Sequence, residues 1–195
     1  MSALRLFIAI DFSEATIQKV VGLQKQLRAK LAACPIRWVA PENLHLTLQF
    51  LGETDQVKFP MISRTMDEIV SGFDPFEVHL KGIGCFPSLK KPEVIWLGLD
   101  HNKTLVTLAQ SFAQRLEPMG FSPNGRFSPH LTLGRVNHFV EENQKQMISD
   151  LMMSAHSVEI GSDGIQEIIL FRSTLTQTGP IYTALHRSKL KNMLH

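Results

Sequence analysis

The sequence predicts an α+β fold of two pseudo-symmetric lobes, each a small, mainly antiparallel sheet with helices packed outside and an active cleft between the sheets. Three observations carry this expectation. Short apolar strands alternate with amphipathic helices, the order of elements repeats in the second half of the chain, and one tetrapeptide occurs once in each half. The length of 195 residues suits one domain, so 1–195 is read as a single bilobal unit with an internal repeat at approximately 1–90 and 91–195.

Leu4 to Ile10 reads as a strand, and Ser13 is placed to cap a helix from about Glu14 to Leu31. Ile17, Val20, Val21, Gln24 and Leu27 form its mostly apolar stripe. Alternation predicts a strand over Asn43 to Leu51. Thr54 or Asp55 then opens a helix to about Val70, followed by strand alternation at Phe76, Val78 and Leu80 and a break at Gly82 and Gly84. The second half replays the order. A strand at Val94 to Leu99, a helix at Lys103 to Glu117, a turn at Pro123-Asn124-Gly125 and a strand at His130 to Val136 come first. A helix from Val140 to Met153 and strands near Ser157–Ile160, Ile165–Arg172 and Ile181–His186 complete the chain.

Hydrophobic residues make up 44% and charged residues 19%, so the chain can bury a core and fold alone. A net charge of +2 is too small for binding nucleic acid through a broadly basic surface, and any contact with a polyanion must be local. Cys34 and Cys85, the 2 cysteines, form no CxxC pair, which argues against a disulfide framework, a structural zinc site and a thioredoxin-like motif. The apolar run Leu6 to Ile10 ends at Asp11, too short for a signal-peptide core, and no run approaches a membrane span of roughly 18 residues. These features predict a soluble, cytoplasmic protein with no membrane contact and no obligate protein partner. A monomer suffices, because two lobes already close one cleft.

The repeated tetrapeptide is His45-Leu46-Thr47-Leu48 and His130-Leu131-Thr132-Leu133. Successive side chains of a strand point to opposite faces, so each His/Thr pair shares one face while the leucines line the other. A leucine face belongs on a core, which leaves the His/Thr faces free to meet across a cleft. Two imidazoles with ordinary pKa near 6.5 can act at one pH as base and acid. Two hydroxyls can donate to the oxygens of an anion held between them. Without a metal cage or a carboxylate pair, this set suits in-line displacement at phosphorus, and no cofactor is called for. A lone HxT is ordinary strand sequence; its duplication at equivalent places is not. Two distant histidines, with no third ligand spaced beside either, make a poor zinc site.

These paired motifs resemble the two-histidine phosphoesterase superfamily, specifically the bacterial and archaeal RNA 2′,3′-cyclic phosphodiesterases, also called 2′-5′ RNA ligases. The likeness extends to Arg5-Leu6-Phe7-Ile8-Ala9-Ile10-Asp11, to Asn43-Leu44 before the first motif and Phe50-Leu51-Gly52-Glu53 after it, to Pro129 and Arg135 around the second, and to the closing Gly179-Pro180-Ile181-Tyr182. The resemblance implies that His45 is the proton donor and His130 the proton acceptor, with Thr47, Thr132 and Arg135 holding phosphate. It implies hydrolysis of an RNA 2′,3′-cyclic phosphate end, for example on tRNA fragments, to a 2′-phosphomonoester. The reverse reaction would join RNA ends by a 2′-5′ bond without ATP. The alternatives are a phosphodiesterase for small cyclic nucleotides or 2′,5′-oligoadenylates, and a non-catalytic RNA-end binding module.

Strand parity turns Arg135 away from His130, so its role requires a bulge, for which Gly134 is suited. Gln49 shares the parity of His45 and Thr47. Arg126 and Phe127, in the loop before the second motif, and Tyr182 are further candidates for substrate contact. Trp38, Phe50, Phe86 and Trp96 are candidates for stacking on a base. His79, His101, His138, His156, His186 and His195 lack the HxT context and are read as surface or satisfied core residues.

Overall fold

A computed structural model describes residues 3–122, 125, 127–177 and 179–191. Arg126, His195 and the Pro123-Asn124 part of the expected turn lie outside them. In chain order the elements are β1 (Ala3–Ile10), α1 (Glu14–Lys30), β2 (Ile36–Trp38), β3 (Leu46–Asp55), α2 (Phe59–Val70), β4 (Phe76–Ser88) and β5 (Lys91–Leu99). There follow α3 (Lys103–Leu116), β6 (His130–Val136), α4 (Glu142–Ser154), β7 (Glu159–Ile165), β8 (Glu167–Thr176) and β9 (Gly179–Lys189). The fold is α+β, with every strand pair antiparallel.

The sheet runs β7-β4-β5-β6-β3-β1-β8-β9, with β2 alongside β6. It has a waist. β3 and β6 meet where Leu46 pairs with Leu131, and outward from there each half-sheet carries three more strands, β1-β8-β9 on one side and β5-β4-β7 on the other. The half-sheets do not follow the halves of the chain: β4 lies with β5, β6 and β7, while β8 and β9 extend β1 and β3. Helices are traded in the same way. α1 leaves β1 and packs against β7, and α3 leaves β5 and packs against β3.

Most elements arise where local chemistry puts them. Ser13 caps α1, its hydroxyl accepting from the Thr16 amide at 3.3 Å. Asn102 caps α3 by accepting from Leu105 N at 2.9 Å. The helix expected from Thr54 or Asp55 begins instead at Phe59, because β3 continues to Asp55, whose carboxylate caps a single 3-10 turn at Gln56–Lys58. The break expected at Gly82 and Gly84 is a bulge inside β4. Gly82 there adopts φ +76°, and a Cβ on Gly84 would sit 2.5 Å from the Trp96 ring, so the strand passes through only because neither residue has a side chain.

One apolar core unites both half-sheets with the helices. Leu6, Ile8 and Ile10 of β1, Leu46 of β3, Ile95 and Leu97 of β5, and Leu131 and Leu133 of β6 are all buried in it. Phe7, Ala9, Ile169 and Phe171 make a second, smaller cluster on the opposite face of their half-sheet, capped by Tyr182. Both cysteines are buried free thiols, and burial pushes the Cys85 thiol up to about 12, leaving it inert near neutrality. Among the described residues no helix is long and apolar enough to cross a membrane.

Candidate functional site

The Leu46–Leu131 pair joins the middles of the two tetrapeptides. In an antiparallel register the neighbours of a paired residue oppose one another head to tail, so His45 lies toward Thr132 and Thr47 toward His130. The leucines between them are fully buried beneath the waist, and the His/Thr faces border one cleft of about 1460 Å³ above it. His45 sits at the entrance of β3, after a 3-10 turn at Pro41–Asn43; His130 opens β6.

Both rings are anchored alike. His45 Nδ1 donates to Asn43 O at 2.8 Å, and His130 Nδ1 donates to Ser128 O at 2.8 Å, each two residues back. A carbonyl can only accept, so the Nδ1 protons are fixed and each Nε2 is the nitrogen that gains or loses a proton. His45 Nε2 lies 3.1 Å from Thr47 Oγ1. Burial, together with the His130 and Arg135 charges, holds the His45 pKa below its ordinary value despite the bond to Asn43 O. The Asn43 side chain donates to Pro180 O at 2.9 Å, which ties the first motif to β9.

Arg135 reaches the cleft by the bulge that parity demands. Trp96 pairs with Thr132 but Ile95 pairs with Gly134, so Leu133 is the extra residue and Arg135 returns to the His130 face. Gln24 of α1, a polar member of its apolar stripe, holds this irregularity. Its buried amide donates to Leu133 O at 2.9 Å and to Val39 O at 3.0 Å. Gln24→Leu keeps the volume and removes both donors; urea denaturation is expected to read a loss of about 1–3 kcal/mol, the range for orphaned buried polar groups. An unchanged midpoint would mean that the bulge does not depend on Gln24.

Gln49 borders the cleft with His45 and Thr47 but is buried there. A second bulge, at Leu48, pairs Gln49 with Ile8 in place of continuing the His45 parity, and the side chain is buried at the cleft border, donating to Ser122 O at 3.1 Å. It braces the loop before the second motif. Phe50 takes the place on the cleft face, pairs with Phe7 and is 51% exposed. Tyr182 stands edge-on to His45 with centroids 5.1 Å apart, and Phe7 lies 4.9 Å from the same ring. Burial raises the Tyr182 pKa against the pull of Arg135, Arg5 and Arg37, so its hydroxyl remains a donor. Phe86 meets His130 edge-on at 4.9 Å, an aromatic wall matching that around His45.

Phe127 is half-buried, packs against the core and borders the cleft. Trp38 and Phe86 also line it, while Trp96 packs behind Phe86 and over Gly84. The cleft further brings in Arg37 and His101. Arg37 falls on a three-residue strand whose alternation is too short to notice, and no motif around His101 separates it from the other surface histidines. His79 and His186 bond to Glu159 and Asp67, away from the cleft. Among the described residues no group of three His, Cys, Asp or Glu could hold a metal ion.

A family model described as LigT like Phosphoesterase matches the chain twice, over residues 10–96 and 97–182. An RNA 2′,3′-cyclic phosphodiesterase of Methanothermobacter thermautotrophicus is 34% identical over 186 residues, 95% of this chain and 98% of that protein. One of Thermotoga maritima is 34% identical over 191 residues, 98% of each. Among solved structures, E. coli LigT complexed with 3′-AMP superposes with a TM-score of 0.77 at 28% identity, covering 98% of this chain and 100% of that one. TT0787 of Thermus thermophilus gives 0.78 at 26% identity, covering 97% and 99%. Duplicated motif, palindromic sheet and relatives agree: the chain belongs to the LigT-like phosphoesterase family.

Proposed function

We propose that this protein is an RNA 2′,3′-cyclic phosphodiesterase that works by paired-histidine acid/base catalysis. The observation that carries the reading is the meeting of two HxT motifs about the Leu46–Leu131 pair, each imidazole fixed through Nδ1 and presenting Nε2. The names of the relatives and the 3′-AMP bound by E. coli LigT support the substrate class.

The cyclic phosphate lies between the rings. His130 Nε2 takes a proton from water as its oxygen bonds to phosphorus; the P–O3′ bond breaks, and His45 Nε2–H protonates the leaving 3′ oxygen. Phosphate remains on O2′. Thr47 and Thr132 donate to the non-bridging oxygens, and the Arg135 charge offsets the negative charge that grows there. His45 must carry a proton for this role although burial favours its neutral form. The bound phosphate anion supplies the opposite charge that restores it. With a 5′-hydroxyl in place of water the same exchange, P–O5′ formed as P–O3′ breaks, gives a 2′-5′ linkage without ATP. The cleft, at about 1460 Å³, exceeds the roughly 300–1,000 Å³ of small-ligand pockets, which favours an RNA end over a small cyclic nucleotide.

Phosphorus NMR of a cyclic-ended oligonucleotide incubated with the protein tests this. The expected product is a 2′-phosphomonoester formed without ATP or added metal. A 3′-phosphomonoester would reverse the bond assignment, and an intact cyclic signal would leave a binding module.

A further inference from the structure

The cleft wall beside Tyr182 carries a charge arrangement that bond exchange at a single phosphorus does not require. Arg37 of β2 and Arg135 of β6 are direct register partners. Their side chains therefore leave one face of the sheet from Cα atoms about 5 Å apart. Like charges directly opposite one another weaken a ladder. Both residues are exposed, both border the cleft, and among the described residues neither guanidinium forms an ion pair with a carboxylate. Glu42, the carboxylate on the same wall, pairs with neither. Arg5, in register beyond Phe7 on β1, adds a third positive charge that acts with those of Arg37 and Arg135 on the Tyr182 hydroxyl.

The fold is shaped to make this approach. A Cβ on Gly134 would meet Ile36 Cγ2 at 2.9 Å and Trp38 Cε3 at 3.2 Å, so only glycine lets β2 lie close enough for Arg37 to stand beside Arg135. A three-residue strand holding a repulsive pair against a glycine is poor design for stability alone. It suits an anion that bridges both groups.

The geometry points to a second anion subsite, built on Arg37 beside Arg135, which takes the 5′-phosphate of the nucleotide bearing the cyclic phosphate. The assignment rests on the hydrolytic reading above and deepens it. Arg135 stands beside the histidines; Arg37 is one cross-strand step farther out, as the next backbone phosphate is one nucleotide farther from the reacting one. A free nucleoside 2′,3′-cyclic phosphate lacks that group and an RNA end always has it, so the subsite selects polymer ends over mononucleotides.

Three substrates separate the terms: a nucleoside 2′,3′-cyclic phosphate, the same compound carrying a 5′-phosphate, and a dinucleotide with a cyclic end. The native protein is expected to favour the second and third over the first by roughly tenfold in kcat/KM, mainly through KM. Arg37→Gln should collapse that ratio toward one, Arg37→Lys should restore part of it, and Arg64→Gln on the outer surface of α2 should keep it. The logarithmic salt slope of the preference should fall by about 0.7 in Arg37→Gln, as expected for one lost phosphate contact on a single strand. Turnover of all three substrates without preference, or a preference that survives in Arg37→Gln, overturns the subsite while leaving the hydrolytic reading intact. Turnover of none of them removes both.

Discussion

His130→Ala is expected to lower kcat for hydrolysis of a cyclic-ended RNA by about 10²- to 10⁴-fold, the usual contribution of a positioned acid or base, and His45→Ala by a similar factor. Circular dichroism and the urea midpoint should stay close to native values, because both rings stand on the cleft face and the core residues of each motif are the intervening leucines. The double variant should be scarcely worse than either single one, since proton donor and acceptor act in one exchange and their effects do not add. The pH profile of kcat/KM should be bell-shaped, reporting a pair of which one ring carries a proton. Burial and the His130 and Arg135 charges push His45 below its ordinary 6.5, so the doubly protonated, inactive pair forms only at lower pH and the acid limb lies below 6.5. On the alkaline side activity falls as the single proton is lost. A single-site variant with native turnover, or a flat profile from about pH 5 to 8, would rule out the pair.

Leu46→Ala should destabilise the fold by about 2–5 kcal/mol, a large part of the roughly 5–15 kcal/mol typical of a domain. Leu46 is 0% exposed, and with Leu131 it forms the pairing that holds the two half-sheets at their waist. The cavity would open directly beneath the histidines, where both half-sheets contribute and neither can collapse alone. Leu175→Ala, at a side chain 67% exposed on β8, should change stability by no more than about 0.5 kcal/mol. Urea midpoints at constant m-value check both. A loss below about 1 kcal/mol at Leu46 would show that other contacts hold the waist.

Much of this was legible in the sequence because period-two patterning survives burial: Leu44, Leu46 and Leu48 are inside, His45 and Thr47 are at the cleft, and Ser13 caps its helix. What escaped was non-local. Parity put Gln49 on the cleft side with His45; it does border the cleft, but a bulge at Leu48 that depends on the partner strand leaves it buried with its amide bonded to Ser122 O. The same parity argument, read with Gly134, anticipated the bulge that turns Arg135 inward. Arg37 could not be found, since its strand exists only by leaning on β6. Gly82 and Gly84 looked like a break because the reasons for them are not local: Gly82 carries the positive φ of a bulge, and Gly84 clears the Trp96 ring on the neighbouring strand.

The traded strands have a further result. Severed near residue 90, neither fragment could close its own sheet: one would lack β8 and β9, the other β4, and each would be left with raw edges that seek another chain. Each fragment would gain solubility and activity only by meeting its complement, and the two imidazoles would be born in the same assembly step. For this polypeptide, completing the fold and arming the chemistry are one event.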